Sequence, residues 1–220
     1  MLFERLLVLD DREPGSAALN MAIDEALLES CDQPILRFYG WRRPSLSFGY
    51  FGKFDEVVTE ATGRELVRRW TGGGSVPHGD DLTYSLVTPT GDPVSTQGPS
   101  AIYSALHHAI RAALFGEGRE TELAKTAAPK ISDACFANPV RDDLLLEGRK
   151  VAGAAQRRTR AGFLHQGSIQ LAGLSATFRD RFAEALCAKV EQGAMPLPVL
   201  HRAAELAAEK YGTDAWLRRW

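Results

Sequence analysis

Arg68-Arg69-Trp70-Thr71-Gly72-Gly73-Gly74-Ser75-Val76-Pro77-His78-Gly79-Asp80-Asp81-Leu82-Thr83-Tyr84-Ser85-Leu86 sets three consecutive glycines behind two arginines and ahead of an alternating segment that reads as a strand. Glycine has no Cβ, so its backbone can approach a ligand closely and adopt positive φ. Successive exposed N–H groups in such a turn form a concave anion site. The loop is therefore expected to hold a carboxylate, thioester or phosphate beside an arginine. No Gly-Lys-Ser/Thr follows at the spacing that a nucleotide P-loop requires.

Outward from the loop, the pattern is of strands with irregularly interspersed helices. Ser16 reads as the cap of a helix over about Ala17 to Ser30, with Leu19, Ala22, Ile23, Ala26 and Leu27 at helical spacing. Asn20 and Asp24 share one face of it and are placed to brace a neighbouring loop. Strands are expected over the first ten residues, Ile35 to Tyr39, Ser45 to Tyr50, Glu65 to Arg69 and Leu82 to Thr88, with a short helix over Phe54 to Thr62. Ser100 to Phe115 reads as a helix, so His107 and His108 are expected half-exposed on it. Further strands are expected near Glu120 to Leu123, then over Arg141 to Glu147, Lys150 to Arg158 and Gly167 to Leu171. Arg160-Ala161-Gly162 reads as a turn, and the tail from Phe178 onward as helical, broken near Pro196 and Pro198. This order predicts an α+β fold rather than a regular βαβ array.

The 220 residues, 45% hydrophobic and 25% charged, suit one substantial core. A net charge of -2 gives no reason to expect nucleic acid or an anionic membrane as partner. No apolar run is long enough to span a bilayer. The N-terminal segment is too short and too charged for a signal peptide. Three unpaired cysteines, Cys31, Cys135 and Cys187, argue against a disulfide framework or a zinc ribbon and fit a reducing cytoplasm.

Three further clusters carry chemistry. In Glu147-Gly148-Arg149-Lys150-Val151-Ala152-Gly153-Ala154-Ala155-Gln156, a lysine beside a tight turn precedes small residues that permit close approach. Its ammonium suits carbonyl polarisation or lowering the pKa of a nearby thiol, and a solvated hairpin lysine is the plain alternative. Cys135-Phe136 lies among turn-formers, whereas Cys31 and Cys187 fall on apparent helices. Phe163-Leu164-His165-Gln166-Gly167-Ser168 offers a histidine as base, clamp or packed residue.

Taken in order, RRWTGGGSVPHGDDLTYS, GRKVAGAAQRR and FLHQGSIQL resemble the biotin/lipoate protein-ligase superfamily, as do the segments around Asn20 and Phe38. The likeness covers about residues 5 to 190. It implies one catalytic domain over 1–220 with a helical C-terminal tail from about 178, and a mixed, mostly antiparallel sheet packed by helices. Cys135-Phe136 ahead of Lys150 resembles the cysteine-dependent octanoyltransferase branch.

That branch implies transfer of an octanoyl or lipoyl group from acyl carrier protein, through a Cys135 thioester, to a lysine of a lipoyl carrier domain, without cofactor or metal. Arg69, Thr71, Gly72, Gly73, Gly74, Ser75, His78, Gly153, Ala154 and His165 would bind substrate, and Lys150 would activate the thiol and polarise the carbonyl. His165 or Lys150 would assist deprotonation of the acceptor lysine. The alternative in the family is an ATP- and magnesium-dependent lipoate–protein ligase, with a separate accessory chain supplying a further domain. A non-catalytic lipoyl-domain or fatty-acid binder is a third reading. Trp70 stands where transferases of this branch often have proline, Gly74 where they often have arginine, and His165-Gln166 reverses their Gln-His order.

Overall fold

The computed structural model describes residues 1–127, 136 and 138–219. Its main sheet is formed by β1 (Leu6–Asp10), β2 (Ile35–Tyr39), β6 (Leu82–Pro89), β7 (Glu122–Leu123), β8 (Leu144–Leu146), β9 (Arg149–Arg158), β10 (Gly162–Ile169) and β11 (Val190–Gly193), in the order β11-β1-β2-β6-β10-β9-β8-β7. Only β1 pairs in parallel, with β11 and β2; the remaining neighbours are antiparallel. A smaller sheet of β3 (Ser45–Phe48), β4 (Glu65–Arg68) and β5 (Val76–His78) has the order β4-β3-β5. This is the α+β arrangement of a mixed, mostly antiparallel sheet with helices against it.

The helices α1 (Ala17–Ser30), α2 (Phe54–Val57), α3 (Pro99–Phe115), α4 (Phe178–Leu186), α5 (Leu197–Leu206) and α6 (Asp214–Leu217) complete the fold. Strand alternation splits the apolar side chains between two cores. Leu36, Phe38, Leu86 and Phe163 pack on α3 and α4. Leu9, Ile35, Val87 and Leu164 pack on α1 and α5. Both layers exclude water, at roughly 1.5–3 kcal/mol for each large side chain buried.

α1 begins where its sequence demands, with Ser16 Oγ accepting the Leu19 amide at 3.3 Å. Its inward face is unusual, because Asn20 and Asp24 are fully buried there. Asn20 Nδ2 donates to the Gly40 carbonyl at 2.9 Å, so the expected bracing of a loop is met. Asp24 serves the site described below.

Several expectations change. The strand expected over Gly167 to Leu171 is β10, which begins at Gly162, the last residue of the expected turn, and ends at Ile169. β5 and β11 were not anticipated; the latter interrupts the helical tail. α2 is one turn long, followed by turns rather than helix to Thr62. His107 is fully buried, because α3 turns it inward against Tyr103, whereas His108 is exposed. No helix among the described residues is long and apolar enough to cross a membrane.

The C-terminal segment is locked to the strand that feeds the glycine loop. The wholly buried Arg68 donates from Nε to the Trp216 carbonyl at 3.0 Å and from Nη2 to that of Leu217 at 2.8 Å. Its Nη1 donates to the carbonyls of Tyr50 and Gly52 at 2.8 and 2.6 Å. Trp216 Nε1 returns a bond to the Arg68 carbonyl at 3.0 Å.

Candidate active site

β4 delivers Arg69 and then the three glycines. Arg69 folds beneath the loop: Nη2 donates to the carbonyls of Gly72 and Gly74 at 2.9 and 2.8 Å, and Nη1 to Ser47 Oγ at 2.7 Å. The guanidinium thus fixes the loop from below. Gly73 has φ +88°, a left-handed conformation that glycine takes without strain. Gly49 leaves room for the loop, since a Cβ there would lie 2.0 Å from the Gly73 carbonyl oxygen. Gly49→Ala should therefore displace the loop and lower stability by about 1–3 kcal/mol, read as a lower urea midpoint.

Thr71 connects the loop to the sheet and α1. Its hydroxyl donates to Gln166 Oε1 at 2.8 Å, and Gln166 Nε2 donates to Asp24 Oδ2 at 2.7 Å. Asp24 also accepts from Ser85 Oγ at 2.6 Å, Tyr39 OH at 3.2 Å and Arg37 Nη1 at 2.7 Å. Burying this carboxylate is tolerable because every contact is a donor and one is a full cation. Desolvation and the neighbouring Asp24 charge push the Tyr39 phenol well above its ordinary pKa, so Tyr39 remains a donor.

A narrow slot of about 30 Å³ opens between the smaller sheet and the main sheet. Met21, Trp41 and Val76 give it apolar walls, Ser47, Arg69 and His78 line one side, and Gly153 to Ala155 line the other. His78 stacks on Trp41 with ring centroids 4.0 Å apart and planes 17° off parallel. Its Nδ1 lies 2.8 Å from Asp81 Oδ2 and its Nε2 lies 2.6 Å from Ser47 Oγ. Burial holds the His78 pKa below its ordinary value despite Asp81. Burial would raise the Asp81 pKa, but hydrogen bonds from His78, Ser168 and the Gly79 amide outweigh it and bring it below the usual carboxylate value.

Lys150 approaches the same slot from β9. Its side chain is 3% exposed, and Nζ lies 2.8 Å from Asp143 Oδ2, a carboxylate with no exposure. Asp143 also accepts from the Tyr103 hydroxyl and from the Val140 amide. Burial, together with the Asp143 charge, pushes the Tyr103 phenol far up, so it too stays a donor. Lys150 lies directly over Gly153, where a Cβ would come within 2.5 Å of Cε and 2.8 Å of Nζ. The small residue expected to admit a ligand therefore also admits the lysine. The Phe136 ring centroid lies 5.3 Å from Nζ.

Of the residues expected from the sequence, Arg69, His78, Gly153 and Ala154 line the slot and Lys150 adjoins it through Gly153, whereas Gly72 to Gly74 do not line it, Gly73 facing Ala155 beside it. Thr71 supports the loop from behind. Ser75 instead donates to Glu60 Oε2 at 2.7 Å and does not line the slot. His165 does not line it either. It lies on the α3 side of the sheet beside Tyr84 and Tyr103, and burial depresses its pKa to about 3. Cys135 lies outside the described residues. Trp70 is held by the Arg157 guanidinium at 4.5 Å and the Lys210 ammonium at 4.6 Å from its ring, contacts that a proline there would not make.

Sequence reasoning missed Asp143, Tyr103, Trp41, Ser47 and Asp81, and gave Asp24 and Gln166 no place in the site. The acidic pair Asp142-Asp143 shortly before a lysine was the available signal for one of them. Among the described residues no three His, Cys, Asp or Glu side chains converge to hold a metal ion. What the slot offers chemically is a nearly dry ammonium beside an apolar channel, suited to stabilising charge that develops on an acyl oxygen.

The architecture is that of the lipoate-ligase fold. A Thermoplasma acidophilum protein solved with bound lipoic acid superposes with TM-score 0.76 at 24% identity, covering 99% of this chain and 100% of that one. A lipoate-protein ligase A bound with ATP gives TM-score 0.72 at 24% identity, covering 99% of each. The chain belongs to the family described as the lipoyl protein ligase A/B catalytic domain, whose sequence model matches residues 16–209. Relatives named octanoyltransferase LipM include those of Oceanobacillus iheyensis, 39% identical over 170 residues and 73% of this chain, and Anoxybacillus flavithermus, 40% identical over 172 residues and 71% of this chain. In both cases the match spans 62% of the relative's length.

Proposed function

We propose that this chain is an octanoyl or lipoyl transferase, moving the acyl group from acyl carrier protein through Cys135 to a lysine of a lipoyl carrier domain. The observation that carries the reading is the Lys150 ammonium, held by Asp143 over Gly153 at the slot, with the ring of Phe136, the residue after Cys135, against it. The octanoyltransferase relatives support the same reaction.

The chemistry follows from these groups. A cation beside a thiol favours the thiolate, which is the nucleophile. Attack on the donor thioester forms the Cys135–acyl bond and breaks the donor carbon–sulfur bond, releasing the carrier thiol. The neutral amine of the acceptor lysine then attacks the new thioester, forming the amide and returning the thiol. A thioester is already activated, so this route uses neither ATP nor metal. The apolar walls of the slot orient the reacting end of the acyl group, and Lys150 stabilises the oxygen in each addition step.

Incubation with octanoyl-acyl carrier protein should give an octanoyl adduct on Cys135 by peptide mass spectrometry, and Cys135→Ser should abolish both adduct and transfer. ATP-dependent lipoylation that survives Cys135→Ser would replace this reading with the ligase. Absence of transfer under either condition would leave a binding protein.

A further inference from the structure

We propose that Ser47, His78 and Asp81 form a second, serine-type nucleophilic centre in the slot, able to take acyl groups from activated esters and thioesters. Ser47 is buried, as are the side chains of His78 and Asp81, and the three are linked in series: Ser47 Oγ to His78 Nε2 at 2.6 Å, and His78 Nδ1 to Asp81 Oδ2 at 2.8 Å.

The direction of each hydrogen bond is forced by its partners. Asp81 receives donors from Thr83 and Ser168 at 2.9 and 2.6 Å and from the Gly79 amide at 3.1 Å. That environment favours the ionised carboxylate, which only accepts, so His78 Nδ1 carries the proton. The neutral ring is then left with Nε2 as acceptor. Arg69 has no acceptor at all, so Ser47 Oγ accepts from its Nη1 at 2.7 Å and must direct its own proton to His78. The result is a hydroxyl aligned on a base and a base oriented by a carboxylate, with a guanidinium fixing the hydroxyl oxygen in place. Geometry of this kind, rather than sequence position, identifies a nucleophile of the serine type.

The reaction balances without a further reagent. Ser47 Oγ attacks the acyl carbonyl carbon while its proton passes to His78 Nε2. The carbon–sulfur bond breaks, and that proton goes to the departing thiolate. Water then adds to the serine ester, giving one proton to His78 Nε2, which returns it to Ser47 Oγ as the carboxylic acid leaves. The net change is thioester and water to acid and thiol. Asp81 takes up no proton and only holds the ring.

The choice of an eight-carbon acyl probe rests on the proposed function. The test is therefore made on Cys135→Ser protein, so that failure of the cysteine route and failure of this one are separable. Release of p-nitrophenolate from p-nitrophenyl octanoate should fall by about 10²–10⁴-fold on adding Ser47→Ala, the range expected when a base-activated nucleophile is lost. Asp81→Asn should lower the rate in the same range by releasing the imidazole tautomer, with circular dichroism confirming the fold of both variants. Because burial holds His78 below the ordinary imidazole value, the parent rate should reach its plateau at a lower pH than a free imidazole base would give. An alkyl fluorophosphonate should modify Ser47, located by peptide mapping. A Ser47→Ala rate equal to the parent's, or a fluorophosphonate that leaves Ser47 unmodified, overturns the proposal.

Discussion

Asp143→Ala should lower folding stability by about 3–5 kcal/mol, the cost of leaving a buried charge without its partner. The Lys150 side chain is 3% exposed and Asp143 not at all, so water cannot easily take over the missing oxygen. Tyr103 OH and the Val140 amide lose their acceptor in the same step. Urea unfolding should show the loss as a lower midpoint with little change in slope. The double variant Asp143→Ala, Lys150→Met should regain much of the stability, because no charge is stranded, while remaining inactive in the proposed acyl transfer. Equal stability of the single and double variants would show that the ion pair is not what holds this corner of the sheet. Lys150→Ala alone would slow the proposed transfer without separating these contributions, and so is the weaker experiment.

The second large effect is on pH. Burial depresses both His107 and His165 to a pKa of about 3, with the His165 and Lys150 charges adding to the effect at His107. An unfolded histidine titrates near 6.5, so below that pH the unfolded chain binds protons that the folded chain refuses. Stability should therefore be complete above pH 6.5 and decline as pH falls from 6.5 towards 3. The slope approaches about 1.4 kcal/mol per pH unit for each histidine, or roughly 4 kcal/mol for the pair by pH 5. Against a typical total of about 5–15 kcal/mol, that is a large share of the stability. His78 is depressed in the same direction and adds to the trend. Unfolding free energies at pH 7, 6 and 5 would test this, with His107→Asn and His165→Gln expected to flatten the curve. Stability that is level between pH 7 and 5 would contradict it.

How much was readable beforehand follows from the same buried polar groups. α1 was legible because a cap and a helical apolar period agree, and its observed span is the expected one. β10 was misread because His165, Gln166 and Gly167 interrupt its apolar pattern, although every residue of the strand is buried. These polar side chains are tolerated by contacts distant in sequence: Gln166 needs Asp24 and Thr71. Likewise β11, Val190-Glu191-Gln192-Gly193, has no alternating pattern and is a strand because β1 offers it a parallel edge. The glycine loop and Lys150 stood out because their residue types are unusual at that spacing. Asp143, Ser47 and Asp81 did not, because a serine or aspartate becomes informative only when the fold sets another group 2.6–2.8 Å away.

The Arg68 fastening has a consequence of its own. The guanidinium is met by carbonyl oxygens of Tyr50, Gly52, Trp216 and Leu217 rather than by a carboxylate. Fixed peptide dipoles at hydrogen-bond distance from a buried guanidinium are less screened by dissolved ions, whereas an exposed pair such as Lys53–Glu56 is readily weakened by them. The seam joining the rear of the chain to its front should thus hold equally well in brine and in dilute buffer.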